Sequence, residues 1–426
     1  MNERFVIEGL AGEKRLLGEI SVKGAKNAVL KSFAAALLFT DELTITNVPE
    51  IEDVERMAEL LRGFGVTAEK RDYGRYVVNP EYVTSSQLDL TAARRLRASI
   101  VLTGPLLART GRASFPLPGG DAIGPRPINL FLDGFRSLGA KVREENGIFE
   151  LTAVGGLHGA EIFFLSMSVT ATETMLMAAV LANGTTTLRN AAMEPEIVAL
   201  AEFLNQCGAN IRGAGTPTIT IEGGQLLHAR GKEWYTIPDR IEAGTFLLLG
   251  ALVGKEVKIT DCNPTHAEML IHLLKQSGAS ITTDQSSITV RGTGEVRAMH
   301  VRTHEYPGFA TDLQPPMVVC LTQAQGESTV FETIWGGRLA YTQDLVRMGA
   351  NISLWNPQQI SVTGPTPLHG AELESPDIRA GLAFLMAAAI AEGVSSLGGI
   401  YHIDRGYERI EDRLSNLGLT IRREAR

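Results

Sequence analysis

The feature that most constrains this chain of 426 residues is an internal repeat. A helix end, a glycine and a strand start recur six times. They read Leu61-Arg-Gly-Phe-Gly65-Val66, Phe135-Arg-Ser-Leu-Gly139-Ala140, Leu204-Asn-Gln-Cys-Gly208-Ala209, Leu274-Lys-Gln-Ser-Gly278-Ala279, Leu345-Val-Arg-Met-Gly349-Ala350 and Leu414-Ser-Asn-Leu-Gly418-Leu419. Successive glycines stand 69 to 74 residues apart. A glycine after a helix suits a left-handed cap, which residues with a Cβ resist. The residues that follow alternate as a strand does, and a second strand such as Thr218–Glu222 or Gln359–Thr363 completes a hairpin.

Each unit also predicts a second helix that is apolar nearly all round, as in Phe33–Leu38, Met175–Leu181, Phe246–Val253 and Leu382–Ala391. Such a helix is buried on all sides. A turn and a strand come next: Glu42–Thr46, Gly184–Arg189, Lys255–Thr260, Glu327–Glu332 and Val394–Leu397. One amphipathic helix, one buried helix and about four strands per unit pack with helices inside and sheets outside. Six units give two globular domains of three with a cleft between them, or else a long solenoid. Trp234–Asp239 is the expected crossover between halves.

Composition narrows the function. A hydrophobic fraction of 44% with 21% charged residues permits a large core. A formal charge of −8 argues against nucleic acid or an anionic membrane as the main partner. The most apolar helical stretch, Ala380–Ala391, falls short of the ~18 residues a membrane span needs. Met1–Arg15 is strand-like and charged, without a signal pattern, so a cytoplasmic location is expected. Cys207, Cys262 and Cys320 are too scattered for a disulfide framework or a zinc site and read as buried thiols.

No Walker loop, GxGxxG after a strand or HExxH is present. Four segments instead carry charge where loops meet helices. In Gly24-Ala-Lys26-Asn27-Ala28 a lysine opens a helix, the end with partial positive charge, which suits an awaited anion or a solvated side chain. Arg94-Arg95-Leu-Arg97 is expected to open another apolar helix. Phe115–Pro127 mixes prolines and glycines with Asp121 and Arg126, as a mobile loop over a site does, and Pro127 signals a helix start. In the second half, Asp312 and Asp377 each open a helix, either as ordinary N-caps or as site acids. Arg338, Arg379 and Arg405 accompany them.

Taken together, Gly24–Ala28, Leu117–Gly124 with Arg126-Pro127, Glu194-Pro-Glu-Ile197, Pro238–Glu242 and Ile400–Asp412 resemble the enolpyruvyl transferases, over about Phe5 to Arg422. Within that family the motifs are most similar to the branch whose acceptor is UDP-N-acetylglucosamine rather than shikimate 3-phosphate. The resemblance implies two inside-out α/β barrel domains, each of three repeats with buried helices and outer sheets. Their expected extents are 22–236, with a lid loop at about 112–126, and 1–21 plus 237–426. It implies phosphoenolpyruvate and UDP-N-acetylglucosamine as substrates, a monomer, and no metal or cofactor.

By the same resemblance, Lys26, Arg126 and Arg405 hold phosphoenolpyruvate, with Arg97 on the phosphate side. Asn27 and Asp312 hold the amino sugar, and Asp312 takes the proton of its 3′-hydroxyl. Ile334, Arg338 and Arg379 contribute from the second domain. Ser168, Val169 and the run Pro127, Ile128, Asn129 and Leu130 flank the uridine. Asp121 stands where most members carry a lid cysteine, the residue that fosfomycin alkylates. Ser166, Thr170 and Asn129 depart from an expected lysine, glycine and aspartate around the nucleotide. The alternatives are an enolpyruvyl transferase acting on another UDP-sugar or on shikimate 3-phosphate, and a non-catalytic UDP-sugar sensor on the same fold.

Overall fold

The six repeated helix ends close in the same way. In the computed structural model, which describes residues 3–121, 123–293 and 296–425, Gly65, Gly139, Gly208, Gly278, Gly349 and Gly418 all have φ between +87° and +111°. The N–H after each glycine donates five residues back, for example Val66 to Leu61 (3.2 Å) and Ala350 to Leu345 (3.0 Å), while the glycine N–H donates three back. This double bond satisfies carbonyls that a helix end otherwise leaves bare. The residue that only glycine supplies without strain therefore recurs because the cap recurs.

The expected buried helices are present and somewhat longer than their apolar runs. Gln314–Leu321 and Ile378–Ile390 are buried along their full length, and Arg240–Val253 from Ile241 onward. Lys26–Ala35 and Val169–Val180 are buried from their third residue. Each Leu, Ile, Phe or Met so enclosed stabilises the fold by about 1.5–3 kcal/mol. Gly104, in the helix Thr103–Thr110, is a close-approach point: a Cβ there would lie 2.4 Å from the Thr174 carbonyl oxygen.

The chain divides into two compact units, one of Gly24–Gly120 and Arg126–Ile237, the other of Met1–Lys23, Asp121–Pro125 and Pro238–Arg426. Each has its own hydrophobic core, the first running from Val29 to Trp234 and the second from Phe5 to Ile421. Each contains three separate sheets among the described residues. Five have four strands and one, Arg112–Pro116 with Lys141–Glu145 and Ile148–Thr152, has three. Among the described residues the sheets stay separate and do not join into a closed barrel. In the second unit Glu3–Glu8 lies antiparallel between Val394–Gly398 and Thr420–Ala425, and Leu16–Ser21 runs parallel to Gly254–Thr260. Met1 and Asn2, at the start of the charged N-terminal segment, and Ala122 of the glycine-rich loop lie outside the described residues, as do Gly294, Glu295 and Arg426. Among the described residues no helix is long and apolar enough to cross a membrane, and the three cysteines are buried free thiols.

Three local expectations change. Arg94 and Arg95 close the helix Leu90–Arg95 rather than opening one, and cations are favoured at that end. Only Arg97 begins the next element, the 3₁₀ turn Arg97–Leu102. The helix after Arg126 starts at Asn129, with Ile128 as its N-cap, so Pro127 stands outside it.

Candidate active site

In the unit Gly24–Gly120 with Arg126–Ile237, Lys26 is the first residue of its helix and its ammonium lies 2.8 Å from the Asp53 carboxylate. Asp53 is almost fully enclosed and sits in the first turn of Glu52–Gly63. Nothing in the sequence had singled out Asp53. Its role as the counter-ion that aims the Lys26 ammonium was not legible. Asn27 follows on the same turn, and its carbonyl accepts from the Lys31 ammonium at 2.7 Å.

Lys31 also meets Glu173 at 3.2 Å, deep in this unit. Burial pushes the Glu173 carboxyl up to about 8, with Lys31 countering only in part. The folded value is thus raised above the ordinary 4.5. The stability contribution of Glu173 is then fully present below 4.5 and is lost as pH rises to about 8. Thermal melts should therefore show wild type losing stability relative to Glu173→Gln across that window. A difference independent of pH would contradict the assignment.

Arg97 clamps the glycine-rich loop. Its guanidinium donates to the Pro118 carbonyl at 3.2 Å and to the Arg126 carbonyl at 2.6 Å. Burial, and then the charge of Arg126, bring Arg97 down to about 10. Two arginines held this close repel, and an anion placed by them would relieve the repulsion. Gly119 permits the approach: a Cβ would lie 1.6 Å from the Arg94 carbonyl oxygen. In the same unit Ser168 caps Val169–Val180 by accepting from the Ala171 N–H at 3.3 Å, and Val169 is its first residue. Asn129 opens Asn129–Ser137 with its side chain exposed, beside half-buried Leu130 and exposed Pro127. Ser166 is exposed and Thr170 half-buried.

In the other unit the two aspartates prove different. Asp377 is an N-cap, accepting from the Arg379 and Ala380 N–H groups at 2.8 and 3.0 Å. Asp312 caps nothing. It lies within the 3₁₀ turn Thr311–Leu313, and its carboxylate faces two arginines. Oδ1 accepts from Arg338 at 3.0 Å, and Oδ2 from the Nε and Nη2 of Arg379 at 3.0 and 2.9 Å. Burial alone would raise the Asp312 pKa, but Arg379 and then Arg338 reverse that and hold the carboxyl well below the usual range. Arg379 is braced in turn by the buried Tyr407 hydroxyl at 2.7 Å. Ile334 is half-buried, and its N–H donates to Glu332 at 2.9 Å.

Asp121 groups with this same unit, although Gly120 and Arg126 belong to the other. Its carboxylate pairs with Arg405 at 2.6 Å, both side chains largely buried. Arg405 follows the short helix Tyr401–Asp404, whose Asp404 is taken up by Arg423 at 2.7 Å. The structure thus groups Asp312 with Arg338 and Arg379, Asp121 with Arg405, Lys26 with Asp53, and Arg97 with Arg126. Tyr407 lay inside a quoted motif but carried no signal of its own. Thr311 and Glu332 carried none either, because their bonds run between segments distant in sequence.

The chain as a whole is similar to known proteins. A family model described as EPSP synthase (3-phosphoshikimate 1-carboxyvinyltransferase) matches residues 10–414. A UDP-N-acetylglucosamine 1-carboxyvinyltransferase of Solibacter usitatus is 44% identical over 423 residues, covering 99% of each chain. UDP-N-acetylglucosamine 1-carboxyvinyltransferase 2 of Bacillus subtilis is 43% identical over 416 residues, covering 97% of this chain and 96% of the relative. Among solved structures, the enolpyruvyl transferase NikO from Streptomyces tendae superposes with a TM-score of 0.87 at 25% identity, covering 99% of both chains. EPSP synthase from Acinetobacter baumannii shares the fold, with a TM-score of 0.75 at 19% identity over 99% of this chain and 100% of that one.

Proposed function

This chain belongs to the EPSP synthase family of enolpyruvyl transferases, and from that premise we propose that it transfers the carboxyvinyl group of phosphoenolpyruvate to UDP-N-acetylglucosamine in peptidoglycan synthesis. The observation that carries the acceptor is identity of 44% along nearly the whole of a relative bearing that activity in its name, against 19% for the shikimate enzyme. The alternative of a non-catalytic sensor is disfavoured by an ionised Asp312 held between two arginines, an arrangement that sugar binding alone does not need.

The reaction is an addition followed by an elimination. The 3′-hydroxyl oxygen bonds to C2 of phosphoenolpyruvate while C3 gains a proton, giving a tetrahedral ketal. Loss of a proton from C3 then expels phosphate and restores the double bond. Lys26, Arg97 and Arg126 neutralise the phosphate, and Arg405 the carboxylate, so that the charge developing at each step meets fixed cations. Asp312 is ionised and therefore able to receive the hydroxyl proton. Its low proton affinity ties that transfer to C–O bond formation, when the hydroxyl has become acidic. Asp121, on the loop with Arg126, exchanges the proton at C3. Ser168, Val169 and Pro127–Leu130 flank the nucleotide. The protein acts on this reading as a monomer in the cytoplasm.

Phosphate release is the direct test. It should require phosphoenolpyruvate and UDP-N-acetylglucosamine together. Turnover with shikimate 3-phosphate and none with the nucleotide sugar would overturn the proposal.

A further inference from the structure

Beneath Asp312 lies a second carboxylate, Glu332, with no exposed surface. It directly follows the strand Gly326–Phe331 and gathers four donors. Oε1 accepts from the Thr303 hydroxyl at 3.0 Å and from the N–H groups of Ile334 and Trp335 at 2.9 and 3.1 Å. Oε2 accepts from the Thr311 hydroxyl at 2.9 Å. That hydroxyl oxygen in turn accepts from Arg338 at 2.8 Å, while the other end of the same guanidinium donates to Asp312 at 3.0 Å.

We propose that Glu332 is a positioning residue for Asp312, acting through Thr311 and Arg338. The inference rests on the reading of Asp312 as the proton acceptor. The guanidinium is a rigid planar fork, and here its prongs grip two consecutive residues, Thr311 and Asp312. Such a grip sets the direction of the Asp312 carboxylate only if Thr311 is itself fixed. Glu332 fixes it, because its Oε2 accepts the hydrogen bond of the Thr311 hydroxyl and leaves the oxygen lone pair to Arg338. The negative charge polarises that hydroxyl and strengthens its bond to the guanidinium. The same carboxylate pins the Ile334–Trp335 turn that leads to Arg338. One buried acid thus holds both segments that meet at Asp312. A buried charge is costly unless it is hydrogen-bonded, and these four donors meet that need.

The test separates positioning from folding. Thr311→Val keeps the shape but removes the hydroxyl, and Glu332→Gln puts an amide where Oε2 accepted. Each should lower kcat by ~10–100-fold, the cost of a misplaced reacting group, with KM for both substrates within about threefold. Thr311→Ser restores the hydroxyl and should recover most of the rate lost in Thr311→Val. The double variant should be no slower than the slower single, since both break one link. A crystal structure of Thr311→Val should show the Asp312 carboxylate turned from Arg338, a readout that needs no turnover. Undiminished kcat in Thr311→Val, additive losses, no recovery by serine, or an unmoved Asp312 would each overturn the inference. Should Glu332→Gln not fold, the Thr311 pair carries the test. Failure of the base reading shows separately, as near-normal turnover in Asp312→Asn.

Discussion

Asp312→Asn should lower turnover by ~10²–10⁴-fold, the usual contribution of a positioned general base. Asparagine keeps the size of the side chain and one oxygen for Arg338 or Arg379, but it cannot take a proton. Nucleotide-sugar binding should stay within roughly tenfold of wild type, about 1.4 kcal/mol. The substitution also leaves two nearly buried guanidinium groups short of a negative charge. Stability should fall by about 1.5–3 kcal/mol, typical of a lost charged hydrogen bond. The Asp312 side chain keeps 28% of its surface open, so water offsets part of a fully buried pair's larger penalty. Because the arginines hold the wild-type carboxyl below its ordinary value, kcat should show no acid limb from Asp312 above pH ~4. Steady-state kinetics, calorimetric titration with the nucleotide sugar and thermal melts read these effects independently. Wild-type turnover in the variant would remove Asp312 from the mechanism.

Fosfomycin should leave the wild-type enzyme active and unmodified, whereas Asp121→Cys should gain one covalent adduct and lose activity. Opening the epoxide needs a strong soft nucleophile. The family's lid cysteine supplies a thiolate, whereas the Asp121 carboxylate is a hard, weak nucleophile. Its lone pairs are drawn further toward Arg405 at 2.6 Å. The chain's own thiols offer no background reaction. Burial raises all three, Cys262 to about 11 and Cys320 to about 12, so each is protonated near neutrality. Intact mass after incubation with the drug and nucleotide sugar reads the outcome directly. An adduct on the wild type, with time-dependent inactivation, would contradict the reading of Asp121.

Much of the fold was legible because its rules are local. The caps recur at Gly65, Gly139, Gly208, Gly278, Gly349 and Gly418, where a positive φ selects the residue type, and the buried helices declare themselves by apolar composition. The strands Leu43–Thr46, Thr185–Arg189 and Gly254–Thr260 begin within one residue of the segments expected for them. Arg94 and Arg95 misled because a run of cations marks a helix end as well as a ligand site, and spacing alone does not say which. From the residues alone, the candidate site was legible as charged types at helix starts and in the glycine-rich loop, and only the family resemblance gave them roles. Asp312 and Asp377 looked alike in sequence; partners 26 and 67 residues away made Asp312 an ion pair, while Asp377 closes its own helix. Asp53, Thr311, Glu332 and Tyr407 contribute through contacts that no local pattern encodes.

A mass spectrum of the product identifies which molecule receives the enolpyruvyl group. Incubation of the purified protein with phosphoenolpyruvate and UDP-N-acetylglucosamine should yield a nucleotide sugar in which one carboxyvinyl group replaces one hydrogen, with one phosphate released per product. Fragmentation should place the new group on the amino sugar. Unmodified UDP-N-acetylglucosamine, alongside a carboxyvinylated shikimate 3-phosphate in a parallel reaction, would rule out the nucleotide sugar as the acceptor.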